Sequence, residues 1–346
     1  MDLKFQLAGI VLLIILTFAA PSFGVPSVVP FVLSILVLML SASALGHATE
    51  ELAGHYNQTI GGLLNATFGN SAELIIAFFA IQKGLTEVVK ASITGSFLGN
   101  VLLVFGLAAI AGGIKRKEMS ISQREGEINS TMLLIAVLFI LFPSLLFIFH
   151  EQQYEKDISL ITAVMLMSLY LLSLIFSFFT HKEWFLSNPT HKPKMSRRNA
   201  FLLMLFCVVA IAISSEKFAG MLEEMAHQFS LGELFVGAIL IGFAGNAAEH
   251  LVALKFAREN KMSLVLSTTI GSSLQIAMFV TPVLVFLSLF SPQFLSLSFL
   301  PVEIIAILAS VFLLIQIERD KKVNWFEGLQ LVALYILIAV IFFFYK

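Results

Sequence analysis

Long uninterrupted apolar blocks dominate this chain, and short polar stretches separate them. Eleven blocks can be delimited, roughly Phe5–Phe23, Val28–Thr49, Ile60–Ile81, Val88–Gly112, Ser130–Phe149, Ile158–Thr180, Asn199–Ser215, Leu231–Phe256, Leu264–Leu289, Leu300–Ile317 and Trp325–Tyr345. Most match the ~20 apolar residues that a helix needs to cross a ~30 Å hydrocarbon layer. Polar and apolar positions do not alternate with period two, which excludes the strands of an outer-membrane barrel. The pattern predicts an all-α polytopic membrane protein of eleven transmembrane helices. The third, fourth, eighth and ninth blocks are rich in Gly, Ser, Thr and Asn. Small residues let helices approach closely, and helices break where they line a cavity. These four blocks are the candidate interior.

The second half of the chain repeats the first at an offset of 176 positions. Gly69-Asn70 then meets Gly245-Asn246, Ala72-Glu73 meets Ala248-Glu249, and Gly95-Ser96 meets Gly271-Ser272. The register survives a loop and a whole helix. A weaker echo relates Glu50-Glu51 to Glu223-Glu224. The expected organisation is an extra N-terminal helix (1–26), a first five-helix repeat (27–181), a basic cytoplasmic linker (182–198) and a second five-helix repeat (199–346). Five is odd, so the second repeat enters the membrane from the opposite side. Such inverted repeats build many secondary transporters, with the substrate site near the midplane.

Composition agrees with a membrane protein: 58% of the residues are hydrophobic and 12% charged, against about 25% charged in soluble domains. Mean hydropathy is +0.95. The N-terminal block lacks a small-residue cleavage site and reads as a span. The single Cys207 excludes an intrachain disulfide and a Cys-rich metal site. Nothing in the charge pattern points to nucleic acid. If successive blocks cross in alternating directions, sixteen of the 21 Lys and Arg residues lie on the side of the N-terminus. The positive-inside rule makes that side cytoplasmic and leaves the C-terminus outside.

The chemistry sits in the two repeated motifs. On a continuous helix, Asn70 and Glu73 share one face, and Asn246 and Glu249 do the same. A charged side chain at the bilayer centre costs about 2.5–3.5 kcal/mol, so a repeated intramembrane acid points to function. Two carboxylates, two amide oxygens and nearby hydroxyls make an all-oxygen site suited to Ca²⁺. Ser96 and Ser272, with Asn100 and Gln275, are the expected polar neighbours. Without a cation, two close buried carboxylates favour protonation, so the same oxygens can serve Ca²⁺ and H⁺ in turn. The structural alternatives are a hydrogen-bonded acid at a helix contact for each Glu, and interhelical packing for Asn70, Asn246, Ser96 and Ser272. Glu50, Glu51, Glu223 and Glu224 are either solvated interface charge or a cation vestibule on each side. His47 and His250 are either proton relays or packing residues.

The stretch from Gly61 to Ile75, which includes Gly69-Asn70-Ser71-Ala72-Glu73, closely resembles the first signature of the cation/proton exchanger (CAX) family. Gly245-Asn246-Ala247-Ala248-Glu249-His250 and Gly271-Ser272-Ser273-Leu274-Gln275 resemble the second. The resemblance implies a Ca²⁺/H⁺ antiporter of the cation/calcium exchanger superfamily. It implies Glu73 and Glu249 as the central carboxylates for metal and proton, with Asn70, Asn246, Ser96, Ser272 and Gln275 as supporting ligands. It also implies Ca²⁺ as transported substrate and no cofactor. The partners are then Ca²⁺, H⁺ and the lipid bilayer, with a homo-oligomer left open. The linker is basic where many members carry an acidic segment, and the resemblance then implies a compact prokaryotic member in a plasma membrane. The alternatives are Na⁺/Ca²⁺ exchange and a passive cation channel. No His-Glu-x-x-His or Gly-x-Ser-x-Gly motif supports an enzyme.

Overall fold

The structure is a computed structural model that describes residues 3–121, 123–149, 154–181 and 193–345. The first part of the expected linker, 182–192, lies outside the described residues. The first helices are α1 (Leu3–Ala19), α2 (Val28–Ala53), α3 (Gln58–Phe68) and α4 (Ser71–Gln82). Next come α5 (Thr86–Gly113), α6 (Gln123–Phe149), α7 (Glu155–Thr180), α8 (Arg197–Ala219) and α9 (Leu222–Gln228). The last are α10 (Glu233–Gly245), α11 (Ala247–Arg258), α12 (Met262–Ser288), α13 (Pro301–Glu318) and α14 (Trp325–Phe344). One feature departs from the all-helical expectation. Strands β1 (Met119–Ser120) and β2 (Lys322–Val323) form a short antiparallel pair, clipped by a 2.5 Å ion pair between Lys322 and Glu118.

Among the described residues, ten helices are long and apolar enough to cross a membrane. The count reaches eleven if α10 and the stretch Glu249–Arg258 of α11, bent by 62°, cross as one broken span. Large apolar side chains stand exposed along the outer helices, among them Leu12 and Ile15 on α1, Leu171 and Leu172 on α7, and Ile336 and Leu337 on α14. A surface of that kind is stable only against lipid. Among the ten candidate spans formed by single helices, α5 and α12 are the most enclosed, with 83% and 67% of their most apolar stretch buried.

Helix boundaries follow the sequence offset. Both α4 and α11 have 12 residues, and they begin and end 176 positions apart. The starts of α5 and α12, Thr86 and Met262, are separated by the same distance. Each of these two helices loosens into a π-turn, at Gly99–Val104 and at Ile276–Val280. Wide turns of this sort concentrate at functional sites.

The described chain divides into two compact units, each drawing on both halves of the sequence. The first holds residues 1–85, 174–231 and 244–248. Within it α2 packs along α8, and α1 lies on α2. Phe31 and Phe218 stack at 5.1 Å near one end of the α2–α8 pair. At the other end the Glu51 carboxylate accepts the backbone N–H groups of Lys194 and Met195, both at 2.7 Å. Glu51 thus ties down the segment that leads into α8, whose N-cap is Ser196.

The second unit holds residues 86–173, 232–243 and 249–346. Helix α5 runs through it with backbones in near contact on two sides. A Cβ added to Gly95 would lie 1.9 Å from the Ala238 carbonyl oxygen, and one on Gly237 would lie 2.2 Å from that of Val88. On the other side, Gly106 and Gly328 bring α5 against α14 in the same manner.

Ahead of α13 an extended segment, Leu295–Leu300, is buried with alternate side chains inward: Leu295, Leu297 and Phe299. Buried backbone outside helices needs partners for its polar groups, and this segment has them. Its N–H groups at Leu295, Leu297 and Phe299 donate to the hydroxyls of Ser288, Ser159 and Ser144. The Leu297 carbonyl accepts from Ser144, and that of Ser298 from Lys90 Nζ at 2.8 Å. The Leu300 N–H donates to Glu303, whose other oxygen accepts from Thr94 at 2.7 Å. Glu303 therefore joins three elements. Replacing it by Ala leaves the Leu300 N–H orphaned in an apolar setting, at about 1–3 kcal/mol. The Glu303→Ala protein is expected to unfold several degrees lower in detergent, and an unchanged melting temperature would show that the junction carries no stability.

Candidate functional site

Glu73 stands in the first turn of α4. Asn70 precedes that helix at φ −100°, ψ 16°, and its side chain makes no capping hydrogen bond to it. The helix expected to run unbroken through Asn70 and Glu73 is interrupted by a turn at Gly69 and Asn70, within the single span Thr59–Gln82. Asn70 occupies the break between α3 and α4. Gly and Asn are poor formers of helix interior, and Asn tolerates the bridge region of backbone space. Both side chains are buried, Asn70 at 1% and Glu73 at 8% exposure.

The second motif reaches Glu73 within the first unit. A Cβ added to Gly245 would lie 2.9 Å from Glu73 Cγ, so glycine leaves the room that the carboxylate fills. Asn246, the next residue, is fully buried. Then α11 starts at Ala247 and carries Glu249 in its first turn, as α4 carries Glu73. A helix N-terminus favours negative charge in its first turn by about 0.3–1 kcal/mol, or ~2 when partly buried. Each acid thus has a local source of positive potential.

Glu249 itself belongs to the second unit and is half-buried. His250 beside it leans on the Phe243 ring at 5.1 Å, and its buried Nε2 has no hydrogen-bond partner among the described residues. In the same unit the Asn100 amide donates to the Ser272 hydroxyl at 3.1 Å, both groups buried. That bond joins α5 to α12 beside their π-turns. Ser96 is buried where α10 crosses α5, its backbone nitrogen 2.9 Å from a Cβ added to Gly242. Gln275, half-buried, is the last residue before the π-turn of α12. Among the described residues no three His, Cys, Asp or Glu side chains gather as a metal-ligand set. Oxygens beyond the carboxylates would come from amides, hydroxyls, carbonyls or water.

The acidic pairs divide. Glu50, Glu223 and Glu224 are exposed, whereas Glu51 is buried on the segment before α8. His47 is exposed. Two buried or half-buried acids lay outside the sequence reading: Glu303, and Glu318, which accepts from Ser130. For Glu303 a signal existed, an acid in the first turn behind a Pro, as a helix start prefers.

A family model described as sodium/calcium exchanger protein matches residues 26–179 and 199–344. The chain belongs to the sodium/calcium exchanger protein family. This exchanger-family member is 38% identical over 325 residues to the Ca²⁺/H⁺ antiporter ChaA of Bacillus subtilis strain 168, covering 92% of this chain and 93% of that protein. It is 38% identical over 352 residues to a Ca²⁺/H⁺ antiporter of Synechocystis, covering 95% of each. The solved structure of native YfkE superposes with a TM-score of 0.86 at 35% identity, covering 98% of this chain and 99% of that one. The exchanger-family chain is an integral membrane protein of a transporter family, not an enzyme.

Proposed function

We propose that this protein expels cytosolic Ca²⁺ in exchange for external H⁺, by alternating access at a midplane site shared by Glu73 and Glu249. The observation that carries the reading is the burial of Glu73 against Gly245 of the second motif. One oxygen set serves both ions: Ca²⁺ takes the ionised carboxylates, and protons replace it when it leaves. Asn70, Asn246, Ser96, Ser272 and Gln275 supply further oxygens. No cofactor enters the cycle; Ca²⁺ is cargo. The names of the 38% identical relatives favour H⁺ over Na⁺ as the counter-ion.

The architecture that fits this cycle has eleven spans, with the N-terminus inside and the C-terminus outside. It consists of one extra helix and two inverted five-helix repeats, 27–181 and 199–346. The matching boundaries of α4 with α11 and of α5 with α12 support it, as does the one-sided distribution of Lys and Arg.

The test is reconstitution into liposomes, following internal pH and Ca²⁺ with and without a Na⁺ gradient. Ca²⁺ movement coupled to opposite H⁺ movement is expected. Flux that needs Na⁺ would make the protein a Na⁺/Ca²⁺ exchanger, and flux with no counter-ion would make it a channel. The exposed acids Glu50, Glu223 and Glu224 are proposed to concentrate cations at the two mouths. Neutralising Glu50, or Glu223 with Glu224, is expected to raise the apparent KM for Ca²⁺ from one side only. An unchanged KM would assign them to the solvated interface.

A further inference from the structure

An apolar groove of about 780 Å³ opens in the first unit between α1 and α8. Leu7, Val11 and Ile15 line one wall, and Leu202 and Phe206 the other. Its volume falls in the ~300–1,000 Å³ range of small-molecule sites. At one end α1 and α8 come together, with Lys217 Nζ 5.9 Å from the centre of the Phe18 ring. The groove also reaches Met195 and Asn199, at the start of α8.

The charge at that start is distinctive. Lys194, Arg197 and Arg198 are all exposed, and the first turn of α8 contains no acid. Arg197 is turned away, its guanidinium 4.8 Å from the centre of the Tyr56 ring. Lys194 and Arg198 make no ion pair among the described residues. The backbone that displays them is held in place. Glu51 accepts the N–H groups of Lys194 and Met195, and His55 Nε2 lies 2.8 Å from the Met195 carbonyl oxygen. Two cations with no ion pair among the described residues thus stand next in sequence to Met195 and Asn199, which line an apolar groove. An anionic head joined to an apolar tail matches both parts, and in a membrane protein that ligand is a lipid.

We propose that the α1–α8 groove binds an anionic phospholipid, with an acyl chain along Leu7, Val11, Ile15, Leu202 and Phe206 and the phosphate against Lys194 and Arg198. None of these residues is among those proposed to hold the ion, so the test does not depend on the transport reading.

The full chain, purified in detergent, is titrated with phosphatidylglycerol and, separately, with phosphatidylcholine. Bound lipid is counted by native mass spectrometry, and the melting temperature is recorded alongside. Preferential retention of phosphatidylglycerol, with a higher melting temperature, is expected. The double variant Lys194→Ala/Arg198→Ala is expected to keep its melting temperature in lipid-free detergent and to bind phosphatidylglycerol about 30-fold more weakly, since each interfacial cation contributes about fivefold. A second variant, Leu202→Trp, fills the groove and is expected to lower retention of both lipids. Equal binding of the two lipids by the native chain, or an unchanged preference in the double variant, overturns the proposal. So does a second copy of the chain occupying the groove, seen as a dimer that Leu202→Trp dissolves.

Discussion

Glu73→Gln and Glu249→Gln are each expected to reduce proton-driven Ca²⁺ uptake in liposomes to background. Gln keeps the shape of Glu and removes its charge. In an effective dielectric of about 20, one unit of charge on a ligand 4 Å away is worth about 4 kcal/mol for each unit on the ion. Desolvation offsets part of this, but a divalent ion should still lose about a hundredfold or more in affinity. The variant also carries no titratable proton at that position, so both legs of the cycle fail together. Gly245→Ala provides a milder version. Its new methyl group would lie 2.9 Å from Glu73 Cγ and displace the carboxylate while leaving the charge. Flux should fall there with little loss of stability. Near-normal flux in either Gln variant would remove the shared-carboxylate proposal.

The second large effect concerns folding. Gly95→Ala and Gly237→Ala are expected to destabilise the second unit by about 3 kcal/mol or more, at the top of the range for overpacking. The added atoms would meet backbone, the Ala238 carbonyl oxygen at 1.9 Å and the Val88 carbonyl oxygen at 2.2 Å, and no side-chain rotation can relieve that. Helices α5 and α10 would have to separate, which also disturbs Ser96. Gly271, the repeat mate of Gly95, gives the matched control. Nothing lies within 4 Å of its added Cβ, so Gly271→Ala should be neutral, or stabilising by up to ~1 kcal/mol through helix propensity. Thermal unfolding in detergent reads all three. Equal melting temperatures for Gly95→Ala and Gly271→Ala would show that close packing of α5 on α10 is not needed.

Much of the helix plan was legible because lipid imposes a length on every apolar block. The expected fourth block lies inside α5 and the ninth coincides with α12 to within two residues at each end, and these two are the most enclosed of the ten single-helix spans. The expected pairing of Glu73 with Glu249 by sequence position agrees with their places in the first turns of two 12-residue helices. The helix break at Asn70 was hidden, because Gly-Asn can lie within a helix or interrupt one and apolar periodicity is the same in both cases. Most of the extended segment Leu295–Leu300 fell between two expected apolar blocks. Its burial depends on Ser144, Ser159 and Lys90, residues that are remote in sequence. Glu51 looked equivalent to Glu50, yet Glu51 is buried and accepts from the chain before α8 while Glu50 is exposed.

The chain alone determined which segments are apolar enough to cross a membrane, that the halves repeat at a fixed spacing, and which carboxylates stand within them. These are local properties, since transfer of a side chain into hydrocarbon depends on that side chain and its near neighbours. Tertiary structure decided which copy of a repeated residue does which work. Gly95 carries a backbone contact that Gly271 lacks, and Gly245 makes room for Glu73. Close approach is a property of two surfaces at once, and a sequence describes only one of them at a time.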